Sequence, residues 1–150
     1  MSQERLHAVV DRARRTFRAQ ACSILVHEPE GRLLVFAAIS GEGSEPLGGS
    51  ESLVGVKMPD STGVAGWVLA TREPLFLEDV VHDRRFAEGI AETVGYVPRR
   101  LMAVPLVLEG RVLGVLELLD PEQAKFADTD QLGDFVDEAV RALVDLGPEA

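Results

Sequence analysis

Hydrophobic positions along the chain follow two periods. Leu6, Val9, Val10, Ala13 and Phe17 recur at helical spacing, with Arg12, Arg14, Arg15 and Arg18 mostly off that face, which predicts an opening helix. Cys22–His27 and Arg32–Ile39 read as strands, and Glu28-Pro29-Glu30-Gly31 between them as a turn, so 22–39 is a hairpin. Residues 40–52 are a Gly/Ser/Glu-rich loop, long enough to be either functional or mobile. Leu53–Met58 is a short strand. Asp60, Ser61 and Thr62 offer caps for a helix over Gly63–Thr71, in which Val64, Trp67 and Val68 share helical spacing. Pro74 bars further helix and Leu75–Leu77 is a short strand. Asp83 can cap a second short helix carrying Phe86, Ile90, Ala91 and Val94, stopped by Gly95. Leu101–Leu108 and Val112–Leu119 are strands joined by a tight turn at Glu109-Gly110-Arg111. Pro105 inside the first of them requires an edge position or a bulge. Asp128 or Thr129 caps a last helix whose stripe is Leu132, Phe135, Val136, Ala139, Val140 and Leu143.

Two hairpins in the order α-β-β-loop-β-α-β-α-β-β-α imply an antiparallel or mixed sheet, not a doubly wound parallel one. The terminal helices must bury their stripes on the sheet, on each other or on a second subunit. A chain of 150 residues with 46% hydrophobic and 27% charged residues suits one domain. No apolar run approaches the roughly 18–20 residues of a membrane span, and the first residues alternate charged with apolar, unlike a signal peptide. A cytoplasmic location is expected. The formal charge of −10 argues against bare electrostatic binding to nucleic acid or anionic lipid, so neither is expected as a partner. The charge is uneven: five Arg stand against two acids in residues 1–20, and nine acids against two bases in 120–150. The two ends are complementary and can lie side by side. Cys22, the single cysteine, excludes an internal disulfide and any two-thiol redox cycle within one chain.

Taken in order, several segments resemble the GAF domain, a small-molecule sensor module. They are Ala21-Cys-Ser-Ile-Leu, Gly63-Val-Ala-Gly66-Trp-Val, Arg72-Glu-Pro-Leu75 and Asp79-Val-Val-His-Asp83-Arg-Arg-Phe86. Met102-Ala-Val-Pro-Leu106, Gly114-Val-Leu-Glu-Leu-Leu-Asp120 and Phe126-Ala-Asp-Thr-Asp130 complete the set. The resemblance covers a single domain over 1–150, with its core at about 4–145. It implies an α+β sandwich: a central antiparallel sheet of five or six strands, terminal helices packed together on one face, and short helices and loops over a pocket on the other. It also implies a homodimer through the terminal helices.

Glu117 is the most informative polar residue. It interrupts a strand with apolar residues of both parities, which means burial on both faces, where an ionised carboxylate is costly unless paired. Alternation groups it with Leu113, Val115 and Leu119. In family members that bind cyclic nucleotides the acid or amide at this place faces the pocket. The competing reading is an ion pair with Arg99 or Arg100. Those two arginines suit an anionic ligand or pairing with Asp79 and Asp83. Trp67 and Tyr96 offer rings to a planar ligand, Trp67 also being ordinary core. Phe86, Asp79 and Phe36 complete the pocket candidates. Gly63 and Gly66 are better explained by close packing than as an anion site. Glu78, Asp79, His82 and Asp83 could in principle ligate a cation, but they match the family's ordinary connection, in which acids cap turns and pair with Arg; no metal is expected.

Departures from the family's patterns narrow the ligand. Nucleotide-binding members carry Asn-Lys, a Phe, and then Asp-Glu; here Asp120-Pro121, Phe126 and Asp130-Gln131 stand at those places, so Phe126 and Asp130 alone agree. The methionine sulfoxide reductase branch needs a resolving thiol that one cysteine cannot supply. Bilin attachment needs a cysteine placed elsewhere, and haem-binding members use a histidine that 95–100 lacks. Cys22 and His27, five residues apart on a strand, fall on opposite faces and cannot form a nucleophile–base pair. No cofactor is expected beyond an unknown small molecule. A non-catalytic sensory domain, passing a signal through the terminal helices of a dimer, is the first expectation. A ligand-free dimerisation or scaffold module is the second. No segment reads as an output domain, which leaves open a free-standing module, a partner of a kinase or transcriptional regulator, or a piece of one.

Overall fold

The computed structural model describes residues 2–41, 54–85, 98–122 and 132–146. In chain order these form α1 (Ser2–Thr16), β1 (Ala21–Glu28), β2 (Leu33–Gly41), β3 (Lys57–Pro59), α2 (Gly63–Thr71) and β4 (Leu75–Leu77). A single 3-10 turn at Val80–His82 follows, then β5 (Leu101–Leu108), β6 (Arg111–Leu119) and α3 (Gly133–Leu146). The expected helix after Asp83, with Phe86 and Tyr96, lies outside the described residues, as does the expected cap of α3.

The six strands form one antiparallel sheet in the order β3-β2-β1-β6-β5-β4. Both hairpins stand as the turn residues predict. Glu109 and Gly110 have φ of 51° and 79°, the left-handed pair that a tight β5–β6 turn requires. Pro105 sits past the end of β4, which reaches only Leu101–Ala103, so this part of β5 has one ladder neighbour and a missing N–H is tolerated. A register shift follows at Leu106/Val107.

Two bulges set which side chains face which layer. On β2, Ala37 is the extra residue between the pairs Ile24–Ala38 and Leu25–Phe36, and both Ala37 and Ala38 turn toward the helices. On β6, Leu113 is the extra residue between the pairs with Leu106 and Val107. Strict alternation put Leu113 on the Glu117 face; instead the bulge sends it to the helix-side cluster.

One face of the sheet is covered by α1 and α3. Leu6, Val9, Val10 and Ala13 meet Leu132, Ala139, Val140 and Leu143 there in one continuous cluster with Cys22, Ile24, Met102, Leu116 and Leu118. Phe135 and Val136 pack against it while keeping partial exposure. The seam is therefore closed within one chain. The complementary terminal charges meet as expected, as Arg5–Asp145, Arg12–Glu138 and Arg18–Glu122. All three pairs are exposed, so burial of the apolar stripes dominates and the charges orient the helices. Arg12 also lies over the Phe135 ring, 5.7 Å from its centre.

A half-buried polar network pins α1 to the sheet. Arg14 Nε donates to the buried Ser40 hydroxyl at 2.9 Å, and that hydroxyl donates to Asp11 Oδ1 at 3.0 Å. Burial alone would raise the Asp11 carboxyl, but the Ser40 hydroxyl and the Arg15 and Arg14 guanidiniums hold it below the ordinary value. The Gln3 amide donates to the Ala37 carbonyl at the β2 bulge. The helix ends in a Schellman arrangement: Arg18 takes φ 50°, Ala19 N–H reaches Arg14 O at 2.9 Å and Arg18 N–H reaches Arg15 O at 3.2 Å.

Gly114 is required by close approach rather than by its dihedrals. A Cβ there would lie 2.1 Å from the Leu25 carbonyl oxygen of β1. Gly114→Ala must push the two central strands apart, and an unfolding titration in urea is expected to show a loss of about 1–3 kcal/mol or more. A midpoint unchanged from the parent would contradict this packing.

Candidate functional site

The α2 face of the sheet is built differently from the helix face. Under α2, Val64, Ala65 and Val68 pack on Leu25, Leu75, Leu101, Ala103 and Val115. Toward the other end of the strands, Ala21 and Ile39 form a separate small cluster. Val56 and Leu119 pack partly against both. Among the described residues, then, the apolar cover of this face is broken in two.

The residues at the break are polar or small. Ser23 pairs with Glu117 across β1–β6, Glu117 with Ala103 across β5–β6, and Ser23 with Ile39 across β1–β2. Cys22, Ile24, Leu116 and Leu118 on either side of them belong to the helix-side cluster, so alternation turns Ser23 and Glu117 to the α2 side. Directly opposed residues place their Cβ atoms about 4.5–5.5 Å apart, within reach of one small molecule. Ser23 is 4% exposed and Glu117 is half-buried. Neither side chain has a hydrogen-bond or ion-pair partner among the described residues. No described polar side-chain atom is both sealed and unpaired, so the unpaired oxygens of these two groups are not fully closed off from solvent.

Burial pushes the Glu117 carboxyl up to about 7, and no cation opposes that shift. The alternative ion pairs with Arg99 or Arg100 are not formed. Arg100 sends its guanidinium to the Glu122 carbonyl at 3.2 Å, near the end of α1, and Arg99 is exposed. Both arginines are fixed through their backbones: their N–H groups donate to one oxygen of Asp120, each at 2.8 Å. Asp120, at the place where nucleotide-binding members carry Asn, thus clamps the entry to β5. Sequence reading treated it only as a departure.

Of the other candidates, Phe36 lies on the α2 face but is only 7% exposed, as core beside Leu25. Trp67 packs its edge on the core while its ring face is taken. The Arg85 guanidinium lies 4.8 Å from the ring centre and is held by both oxygens of Asp83, at 2.9 and 2.7 Å. That stack lines a cleft of about 560 Å³ on the outer side of α2, away from Glu117, with Gly63, Gly66, Arg84 and Asp60. Gly66 is needed there: a Cβ would meet the Ser61 carbonyl carbon at 2.6 Å. Asp79 is exposed and bonds His82 at 2.7 Å, so the acids of this stretch do not converge on one point. Thr62 stands at the N-cap of α2 without a side-chain cap bond, and Asp60 instead bonds His27 at 3.0 Å, against the capping expectation. Phe86 and Tyr96 lie outside the described residues. Ser23, which the sequence reading passed over, is brought to the site; its signal was a hydroxyl in an otherwise apolar run, on the first strand while Glu117 is on the sixth, and beside it in space.

Cys22 is wholly buried on the opposite face. Burial, then the nearby Glu117 charge, push its thiol up, so it stays neutral and unreactive.

Glu117 binds its proton more tightly in the folded than in the unfolded chain. Its contribution to stability therefore falls as pH rises from about 4.5 to about 7, and is flat above that. Glu117→Gln should remove this slope and be about 1–3 kcal/mol more stable than the parent at pH 8, with little difference at pH 4.5. Parallel pH–stability curves for the two proteins would contradict a desolvated, unpaired carboxyl.

The fold has solved counterparts. The GAF domain of an Acinetobacter phosphoenolpyruvate-protein phosphotransferase superposes with a TM-score of 0.79 over 97% of this chain and 83% of that one, at 19% identity. A Neisseria meningitidis free methionine-R-sulfoxide reductase, solved with its substrate, gives 0.74 over 95% and 77%, also at 19% identity. These likenesses show the fold. In sequence, a probable 3',5'-cyclic phosphodiesterase of Caenorhabditis elegans is 26% identical over 97 residues, which is 65% of this chain and 13% of that protein. The chain thus spans a small part of the length of that relative. The GAF domain model matches residues 2–144, and the chain belongs to the GAF family of small-molecule-binding signalling modules.

Proposed function

We propose that this domain is a non-catalytic sensor that binds a small molecule on the α2 face of the sheet, against Glu117 and Ser23. The observation that carries this reading is the break in the apolar cover at two partnerless polar groups. A collapsed scaffold would gain stability by filling that position with an apolar residue, because an uncompensated buried carboxyl costs several kcal/mol in the ionised form. Non-catalytic action is supported by the placement of Cys22, which lies behind the sheet and not on the ligand face. Reductases among the fold's counterparts therefore lend this chain no chemistry.

The signal would pass by population shift: the ligand must bind one arrangement of sheet and terminal helices better than another. The packing of the sheet supports this route. β1 and β6 carry the ligand face and bury Cys22, Ile24, Leu116 and Leu118 against α1 and α3 on the other. The outward surface of these helices is the proposed homodimer contact, with Val144 its exposed apolar residue at 51%. The terminal seam already closes within one chain, so the dimer would be a regulated contact and not a condition of folding. A cytoplasmic setting, with a kinase or transcriptional regulator as output partner, is the context proposed for it. No described helix is long and apolar enough to cross a membrane.

Native mass spectrometry beside a denatured control tests this reading. A discrete extra mass lost on denaturation is expected; if none is retained and no small molecule raises the melting temperature, the scaffold reading replaces this one. For the dimer, Val144→Asp is expected to shift the parent's dimer to monomer with a melting temperature within a few degrees of the parent. A parent that stays monomeric at high concentration would remove the dimer from the proposal.

A further inference from the structure

The polar pair at the site fixes a ligand charge, an inference that rests on the sensor reading above. An unpartnered carboxylate between two apolar clusters can be compensated in three ways: by protonation, by a cation of the protein, or by a cation of the ligand. The described cations near it are turned elsewhere. Arg100 is turned to the Glu122 carbonyl, Arg85 is held by Asp83 over Trp67, and Arg14 serves Ser40 and Asp11 on the opposite face of the sheet. Arg99 is exposed at the entry to β5. His27, two positions along β1 past Leu25 on the α2 face, is bonded to Asp60. An anionic ligand placed against Glu117 would add like charge in a region of low dielectric, where repulsion is strong. A neutral acceptor would need the carboxyl protonated.

We infer that the ligand is a compact organic cation, an alkylammonium or alkylguanidinium, whose N–H donors are shared between the Glu117 carboxylate and the Ser23 hydroxyl. The surroundings match such a head group with a short apolar tail. Ala103, the cross-strand neighbour of Glu117, carries only a methyl group; Ala21, Ile39, Val56 and Leu119 lie on one side of the polar pair and the cluster with Val115 and Leu101 on the other. Ser23 serves as the second acceptor. Ser23 is 4% exposed and its hydroxyl has no partner among the described residues, so it is free to accept from a bound donor. Charge-assisted hydrogen bonds of this kind are roughly twice as strong as neutral ones, so both head groups should be preferred over an isosteric alcohol.

The test uses the whole chain and five probes at millimolar concentration: n-butylammonium, n-butylguanidinium, n-butanol, butyrate and cyclic GMP. Amide chemical shifts of Ser23 and Glu117 locate binding, and calorimetry gives affinity. Either cation is expected to bind at this face, with n-butanol and butyrate at least about ten-fold weaker. Glu117→Gln should weaken the cation by about ten-fold or more, and Ser23→Ala by several-fold, with melting temperatures at or above the parent's for the former. The inference is overturned if neither cation shifts these amides, or if Glu117→Gln binds them as the parent does. Butyrate or cyclic GMP bound at the same amides would overturn it while leaving the sensor reading in place. The sensor reading itself fails only if native mass spectrometry also finds no retained molecule.

Discussion

Covering both faces of a central antiparallel sheet is the constraint on which the rest of this structure depends. β1 and β6 lie in the middle of six strands, and residues of both parities along them are apolar. Each face must be sealed separately. The terminal helices seal one face without a gap, and that sealing draws together residues over a hundred positions apart in sequence. On the other face the described cover is the nine-residue α2, which packs over one end of the strands. Among the described residues, Ser23 and Glu117 stand between that cluster and the smaller one at Ala21 and Ile39.

In the proposed reading the two faces divide stability and function. Buried leucines at the α1–α3 seam, such as Leu6 and Leu132, would each cost about 2–5 kcal/mol if cut to Ala, a large share of a typical domain's margin. The α2 face carries instead an ionisable group whose burial costs stability at neutral pH. A fold can carry such a cost where a second partner offsets it on binding. Because β1 and β6 present alternate residues to the two faces, any shift that admits a ligand beside Glu117 also moves Leu116 and Leu118 under the helices. In the proposed sensor, binding and output would be coupled through the pleat of two strands, while the Asp11–Ser40–Arg14 network ties α1 to β2.

Several polar side chains near the site illustrate how a short-range motif can mislead. Arg99 and Arg100 are adjacent in sequence and look like an anion clamp, but their backbone N–H groups are gripped by Asp120, and the Arg100 side chain turns to Glu122. Trp67 looks like a stacking platform, yet its ring face is covered by Arg85. In each case the decisive partner is on another element. Periodicity places a residue on a face and says nothing of which neighbour reaches it first.

By itself the sequence determined most of the described elements, an antiparallel or mixed sheet, the complementary charges of the terminal helices and the anomaly of Glu117 in an apolar strand. These follow from local periods, turn residues and the cost of a carboxylate in an apolar strand, all of which are written within a few residues of one another. Tertiary structure alone decided the face of Leu113 and the partner of Arg100, because a bulge and a competing carbonyl are set by neighbouring strands. It also decided the role of Ser23. A hydroxyl in a strand is unremarked until the register sets it opposite a carboxyl that nothing else pairs, and register is a property of two strands, not of one.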